Sequence, residues 1–232
     1  MSAISTFERL SVKNENISSF INMNNKSEHF ILINEQYYPN EIAIRLSLQK
    51  LGYQLQDVIS VDKVDNLLQD NCDYVDLIII GISRKEPSLI DKLQQIFNLT
   101  KKGKRVLVHC QSGERMFWGL LVSLGIKGVI LDSESEEEFA KLIFNLVQGN
   151  VAYSTEVHKL IGSQSYKMLS PVEGHLILDL LSGKRVTDIA RVNGRDVRTA
   201  SAQKISVMKH LNIHDDGELY ALGGMMTCHL GQ

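Results

Sequence analysis

Seven cations, Lys184, Arg185, Arg191, Arg195, Arg198, Lys204 and Lys209, fall between Gly183 and His210, against two anions, Asp188 and Asp196. That local excess of positive charge stands in a chain whose formal net charge is −2 at pH 7. A basic stripe on a mildly acidic chain is the footprint of contact with a phosphate backbone. Charge alone fits a solvated helical face equally well, so placement must decide. At about 100° per residue, Ala200, Val207 and Leu211 share one face of a helix over 197–211. Arg198, Ala202, Ile205 and Lys209 share the opposite face, with Ser201 between. The outward set has the chemistry of a major-groove reader. Arg198 and Lys209 suit guanine edges or phosphates, Ser201 a base edge, and Ala202 and Ile205 thymine methyl groups. Thr199 and Gln203 lie on the flanks, where backbone contacts are common. Lys204 falls inward and is expected to snorkel to a phosphate. Thr187 and Arg195, on the preceding helix and in the turn between the two, complete the set expected to contact DNA.

The neighbouring residues supply elements to hold that face outward. Ser170-Pro171-Val172-Glu173 is a capping box with proline at the first helical position. Leu176, Ile177, Leu180 and Leu181 continue at helical spacing to a stop at Gly183. Val186 to Val192 reads as a second, short helix with Ile189 and Ala190 inward, and Asn193-Gly194-Arg195 as a tight turn. Asp196 caps a third helix, Val197 to about Leu211. Two short helices across a tight turn, the second one basic, describe a helix-turn-helix. A fourth helix over 215–224 would leave Leu219 and Leu222 available for a tail–tail interface.

Leu169-Ser170-Pro171, Val186-Thr187-Asp188-Ile189-Ala190, Thr199-Ala200-Ser201-Ala202-Gln203-Lys204 and Met208-Lys209-His210-Leu211-Asn212-Ile213 together resemble the C-terminal domain of LuxR-type bacterial transcription regulators. The resemblance is strongest to the Rcs capsule-regulator branch. It covers roughly the last quarter of the chain, without a gap from Ile189 to Ile213. The departures are Asn193 for a usual leucine, Ala200 for a usual valine or isoleucine, and Ile205 where the Rcs branch usually carries a cation. The resemblance implies sequence-specific binding of double-stranded DNA, as a homodimer or as a heterodimer with another LuxR-type regulator. A partner-binding co-regulator that has lost DNA binding is the alternative that Asn193 and Ala200 raise.

Upstream, apolar runs alternate with helical periodicity. Strands are expected at His29 to Asn34, Gln56 to Val61, Val75 to Ile82, Arg105 to Cys110 and Gly128 to Leu131. Helices are expected at Glu41 to Leu51 (Ile42, Leu46, Leu48 and Leu51 apolar), Val64 to Leu68, Pro87 to Leu99, Glu114 to Leu121 and Glu136 to Gln148. In the last of these Phe139, Leu142, Ile143 and Leu146 point inward, and the acidic run Ser133 to Glu138 suits a helix start. Five strands alternating with five helices predict an α/β domain: a parallel sheet covered on both faces, in the flavodoxin-like order 2-1-3-4-5. Residues 1–27 read as an extension, 28–149 as the α/β domain, 150–165 as a linker and 166–232 as the all-α helix-turn-helix domain.

This layout ahead of a LuxR-type tail resembles the receiver domain of two-component response regulators. A receiver takes a phosphoryl group on an aspartate ending its third strand and holds magnesium with two acidic residues after its first. A Thr or Ser after the fourth strand and a Lys after the fifth read the phosphate. The corresponding positions here are Gly81, then Asn34 and Glu35, then Cys110 and Asp132. Glycine has no nucleophile, and an anionic Asp132 repels a phosphate. The resemblance therefore implies a pseudo-receiver, used for dimerisation or for sensing a partner or ligand without phosphorylation, and needing no metal or cofactor.

Residues 106–116, reading VLVHCQSGERM, resemble the His-Cys-x5-Arg phosphate loop of cysteine phosphatases. That chemistry needs a thiolate stabilised at a helix N-terminus, a cradle of backbone N–H groups and an arginine clamp. Arg115 comes one residue too early, and Met116 occupies the required place. A phosphatase-like enzyme using Cys110 is thus the second reading, and no catalytic residue is assigned. His109, His175, His210, His214 and His229 show no metal spacing and read as surface or satisfied residues; Phe117 and Trp118 read as core or subunit surface. Cys72, Cys110 and Cys228 form neither a metal motif nor an even disulfide set and fit a reducing cytoplasm. The sequence has no run apolar enough to span a membrane and no signal-peptide pattern at its start.

Overall fold

The structure, a computed structural model, describes residues 11–12, 30–61, 75–83, 86, 88–111, 113–162 and 166–227. Its longer apolar runs pair as strands buried on both faces. β1 (Ser11–Val12), β2 (Phe30–Asn34), β3 (Val58–Val61), β4 (Val75–Ile82), β5 (Val106–Cys110), β6 (Gly128–Leu131) and β7 (Ala152–Tyr153) form one sheet. Its order is β1-β3-β2-β4-β5-β6-β7, and every pair is parallel. The five expected strands keep the expected order, and two edge strands add to them among the described residues. Neither β1 nor β7, two residues each, is long enough to show alternation. The second expected strand starts later than Gln56, because Leu55–Asp57 forms a 3₁₀ turn before Val58.

Alternation along the strands sorts the core into two layers. Leu77 and Ile79 of β4 face helices α1 (Tyr38–Lys50) and α4 (Glu136–Val147). Ile78, Ile80 and Ile82 face α2 (Leu89–Lys101) and α3 (Arg115–Ser123), whose Phe117 and Trp118 are buried core. Helix α1 is tied to β3 by Arg45, which lies 3.0 Å from Glu41 Oε1 and donates to the Val58 carbonyl at 2.8 Å. Ile44 fills its inner face, while Leu46 is exposed. The expected linker 150–165 is partly structured. It holds β7 and helix α5 (Thr155–Ile161), capped by the Ser154 hydroxyl and packed through Val157 and Ile161. The expected helix Val64 to Leu68, Cys72, Cys228, His229 and nearly all of 1–27 lie outside the described residues.

Among the described residues four helices follow: α6 (Pro171–Leu181), α7 (Val186–Val192), α8 (Val197–His210) and α9 (Asp216–Thr227). The capping box forms, with Ser170 and Glu173 each serving the other's backbone N–H. Helix α6 seats directly on α2. A Cβ at Gly174 would stand 2.1 Å from Phe97 Cζ, so only glycine permits this approach. Beside it His175 Nε2 lies 3.1 Å from Asn98 Oδ1, and the Leu169 N–H donates to the Ser123 carbonyl at 2.8 Å. The core therefore runs unbroken from the sheet through α2 and α6 to α8 and α9. One expectation is corrected here. Leu219 and Leu222 are 2% and 0% exposed, because α9 turns them onto α6 and α2, and neither is available to a tail–tail interface.

Candidate functional site

The turn ahead of α8 is built from local hydrogen bonds. Gly194 adopts φ 61°, the left-handed conformation that suits glycine, and the Arg195 N–H donates to the Ala190 carbonyl at 2.8 Å. Asn193 donates its side-chain amide to the Ile189 carbonyl at 2.9 Å and closes α7. Asp196 then caps α8 by accepting from the Arg198 N–H at 2.8 Å.

Helix α8 divides as its angular pattern predicts. Ala200, Val207, Met208 and Leu211 are buried; Arg198, Thr199, Ala202, Ile205 and Lys209 are exposed, with Ser201 and Gln203 half-buried between. Ile205 is 68% exposed. Thr187 and Arg195 are exposed on the same unit, Arg195 donating to Gln203 Oε1 at 3.1 Å. Ion pairs remove other cations from the stripe. Lys184 lies 2.6 Å from Asp179 and Arg191 3.3 Å from Asp188. Lys204, expected to reach a phosphate, is instead only 15% exposed and sits 2.7 Å from Asp216 Oδ1 of α9. Among the described residues Arg185, Arg195, Arg198 and Lys209 remain without a carboxylate partner, so the uncompensated charge gathers at α8 and its approaches.

A second cluster occupies the C-terminal edge of the sheet. Gly81 pairs with His109 across β4 and β5, and alternation turns both toward the α1–α4 side. Asn34 and Cys110 fall on the other side: Asn34 donates to the Val61 carbonyl at 2.8 Å, and Cys110 is buried 3.9 Å from the Ile130 carbonyl. Glu35, Gly81, His109 and Asp132 come together in a cleft of about 330 Å³, which Cys110 also borders. His109 Nδ1 lies 3.1 Å from Glu35 Oε2, and Nε2 lies 2.9 Å from Asp132 Oδ1. Both contacts are hydrogen bonds when both ring nitrogens carry protons. The Tyr37 N–H holds the other Glu35 oxygen at 2.9 Å. A Cβ at Gly81 would stand 2.1 Å from Glu35 Oε2, so this carboxylate fills the space that any side chain at position 81 would need.

His109 is the member to which sequence reasoning assigns no role. It is satisfied, as expected, but it is also the hub. The signal for it is parity: in the strand VLVHC it shares a side with buried Leu107 and stands level with Gly81.

The charges of this cluster are coupled to folding. Burial alone would raise the Glu35 carboxyl, but hydrogen bonds from His109 and the Tyr37 N–H, with the charges of His109 and Lys92, hold it below its ordinary value. A depressed carboxyl stabilises the fold above the unfolded-state pKa, and that contribution is lost as pH falls through the folded-state one. Glu35→Gln is therefore expected to show a stability deficit above pH 4.5 that narrows as pH drops below it. Urea denaturation of both proteins across that range checks this; a deficit that holds steady into acid would refute the coupling.

The magnesium chemistry of a receiver does not fit here. Glu35 is committed to His109 and Tyr37, Asn34 faces away, and Gly81 supplies no ligand. The described residues contain no group of His, Cys, Asp or Glu able to hold a metal ion. Cys110 is also the reverse of an activated nucleophile: burial pushes its thiol up, and the Asp132 carboxylate adds to this. Arg115 is exposed on the first turn of α3.

No family model matches the chain. In sequence it is similar to the transcriptional regulatory protein RcsB of Escherichia coli K12, 24% identical over 185 residues, which span 75% of this chain and 84% of that protein. RcsB of Salmonella typhimurium LT2 and of Shigella flexneri match to the same degree. Among solved structures it is similar to the two-component response regulator RcsB–DNA complex, with TM-score 0.50 and 20% identity over 87% of this chain and 100% of that one. It is also similar to the Salmonella typhimurium RcsB response regulator, with TM-score 0.48 and 21% identity over 83% and 97%. The first of these structural likenesses supports the fold class, a parallel α/β domain followed by a helical one. Among the described residues no helix is long and apolar enough to cross a membrane.

Proposed function

We propose that this protein is a sequence-specific, DNA-binding transcription regulator of LuxR type, with a pseudo-receiver that works without phosphorylation. The observation that carries the proposal is the outer face of α8. There Arg198 and Lys209 stand exposed and uncompensated among the described residues, flanking small and apolar side chains, on a chain of net charge −2. Sequence similarity to the transcriptional regulatory protein RcsB supports the same reading. One helix face gives modest affinity, so the protein binds as a homodimer, or as a heterodimer with another LuxR-type regulator, on two half-sites. It works in the cytoplasm and is not an enzyme.

The pseudo-receiver part rests on Gly81 and on the Glu35 carboxylate that fills its place. Regulation then comes from a partner or ligand at the sheet domain. Helix α2 is the element suited to pass it on. Its Lys92 pairs with Glu86 at the cleft at 3.1 Å, and its Phe97 and Asn98 carry α6.

Selection of duplexes from a random-sequence library by the full-length protein tests the proposal. Enriched sequences with two half-sites are expected, bound with a logarithmic salt slope of about 0.9 per phosphate contacted. Failure to enrich any sequence, with salt-insensitive retention, would leave only a partner-binding protein.

A further inference from the structure

We infer that Ile205 sets the sequence preference of α8 by packing on the C5-methyl group of a thymine in each half-site. The inference rests on the DNA-binding reading above and deepens it. Single exposed apolar residues are ordinary on protein surfaces. Ile205 differs in where it stands. It is 68% exposed in a helix whose same face carries Ser201, Ala202 and Lys209 within one turn and Arg198 two turns back. A β-branched residue is a poorer helix former at an exposed position than lysine, glutamine or alanine. No core packing offsets that cost, since the buried side of α8 is Ala200, Val207, Met208 and Leu211. A local rule broken without structural return marks a functional position.

The base follows from the chemistry of the side chain. Isoleucine neither donates nor accepts. Set over guanine O6 and N7, adenine N6 and N7, or cytosine N4, it would displace water and leave those groups unpaired, which is unfavourable. Thymine alone presents an apolar group in the major groove. The neighbours of Ile205 suit that approach. Ala202, one turn earlier, is too short to hold the helix off the base edges, and Lys204, drawn back to Asp216 at 2.7 Å, does not cross the face. Arg198 and Lys209 then bracket the contact with cations, which fix the helix on the backbone or on flanking guanines.

The test uses the full-length protein and the duplex it selects from the random library. Each thymine is replaced in turn by deoxyuridine, which removes the methyl group and nothing else. For one thymine in each half-site, replacement is expected to weaken wild-type binding by roughly fourfold, the worth of one methyl-sized group taken from water. Ile205→Ala, which removes an exposed side chain and keeps the helix, is expected to bind the thymine duplex that much more weakly and to be indifferent to the replacement. Ile205→Lys is expected to move the preference at that step from thymine to guanine. If deoxyuridine weakens Ile205→Ala as much as wild type, the methyl is read elsewhere and the inference falls while DNA binding stands. If the wild-type protein selects no duplex, the DNA-binding reading itself falls and takes the inference with it.

Discussion

Arg198→Ala combined with Lys209→Ala is expected to weaken binding to the selected duplex by roughly 10²- to 10³-fold, at about 1–3 kcal/mol for each interaction with guanine or phosphate that is removed. Unfolding free energy should stay within about 0.5 kcal/mol of wild type. The two expectations diverge because both side chains project from the exposed face of α8, and alanine is a good helix former there. The salt slope should also flatten, by about one for each phosphate interaction removed. Lys204 supplies the internal control. It is a lysine of the same helix, but its charge meets Asp216 at 2.7 Å, so Lys204→Ala should disturb the seating of α9 and leave the salt slope unchanged. Gel-shift titrations at two ionic strengths, with thermal melts of the same proteins, distinguish the two. Equal weakening by Lys204→Ala and by the Arg198–Lys209 double substitution would mean that net charge, and not the geometry of the face, governs binding.

The contrast between these lysines marks what the sequence reveals and where it stops. Angular periodicity places Ala200, Val207 and Leu211 inward and Arg198, Ala202, Ile205 and Lys209 outward, because a capped helix of this length obeys its period closely. Periodicity also sets Lys204 inward, yet it cannot supply Asp216, which arrives from the next helix. Leu219 and Leu222 fail for the same reason: an apolar pair on a last helix suits a partner surface or its own core equally, and only the packing of α9 on α2 and α6 decides. Gly174 is the complementary case. Nothing local distinguishes it from any helix glycine, and its meaning lies wholly in Phe97, far away along the chain. At the sheet edge, alignment to a family pattern picks Asn34 and Cys110. Strand parity sets both on the opposite side of the sheet from Gly81, although Cys110 still borders the cleft, and it brings in His109.

That edge sets the second large effect. Gly81→Asp, which places a carboxylate beside Glu35, is expected to lower stability by about 3 kcal/mol, as for a buried ion pair that loses its partner. It is also expected to take up no phosphoryl group from acetyl phosphate. The new Cβ would stand 2.1 Å from Glu35 Oε2 and 2.5 Å from its carboxyl carbon. Glu35 cannot swing aside freely, being held by His109 at 3.1 Å and by the Tyr37 N–H at 2.9 Å. Either carboxylate that keeps His109 leaves the other in the cleft beside Asp132, and close, partly buried like charges repel strongly. The phosphoryl group would meet the same field, since the Asp132 carboxylate lines the same cleft. For a chain of this size the destabilisation corresponds to a fall in Tm of roughly 6–12 °C. Glu35→Ala in the Gly81→Asp background separates the causes. It empties the space over Gly81 and should recover most of the stability, yet it should leave the protein unphosphorylated while Asp132 remains. A Gly81→Asp protein as stable as wild type would show that Glu35 is a loose side chain and not the plug of this site. Uptake of phosphate by that protein would show that a receiver's chemistry needs less of its surroundings than Asp132 and His109 deny it.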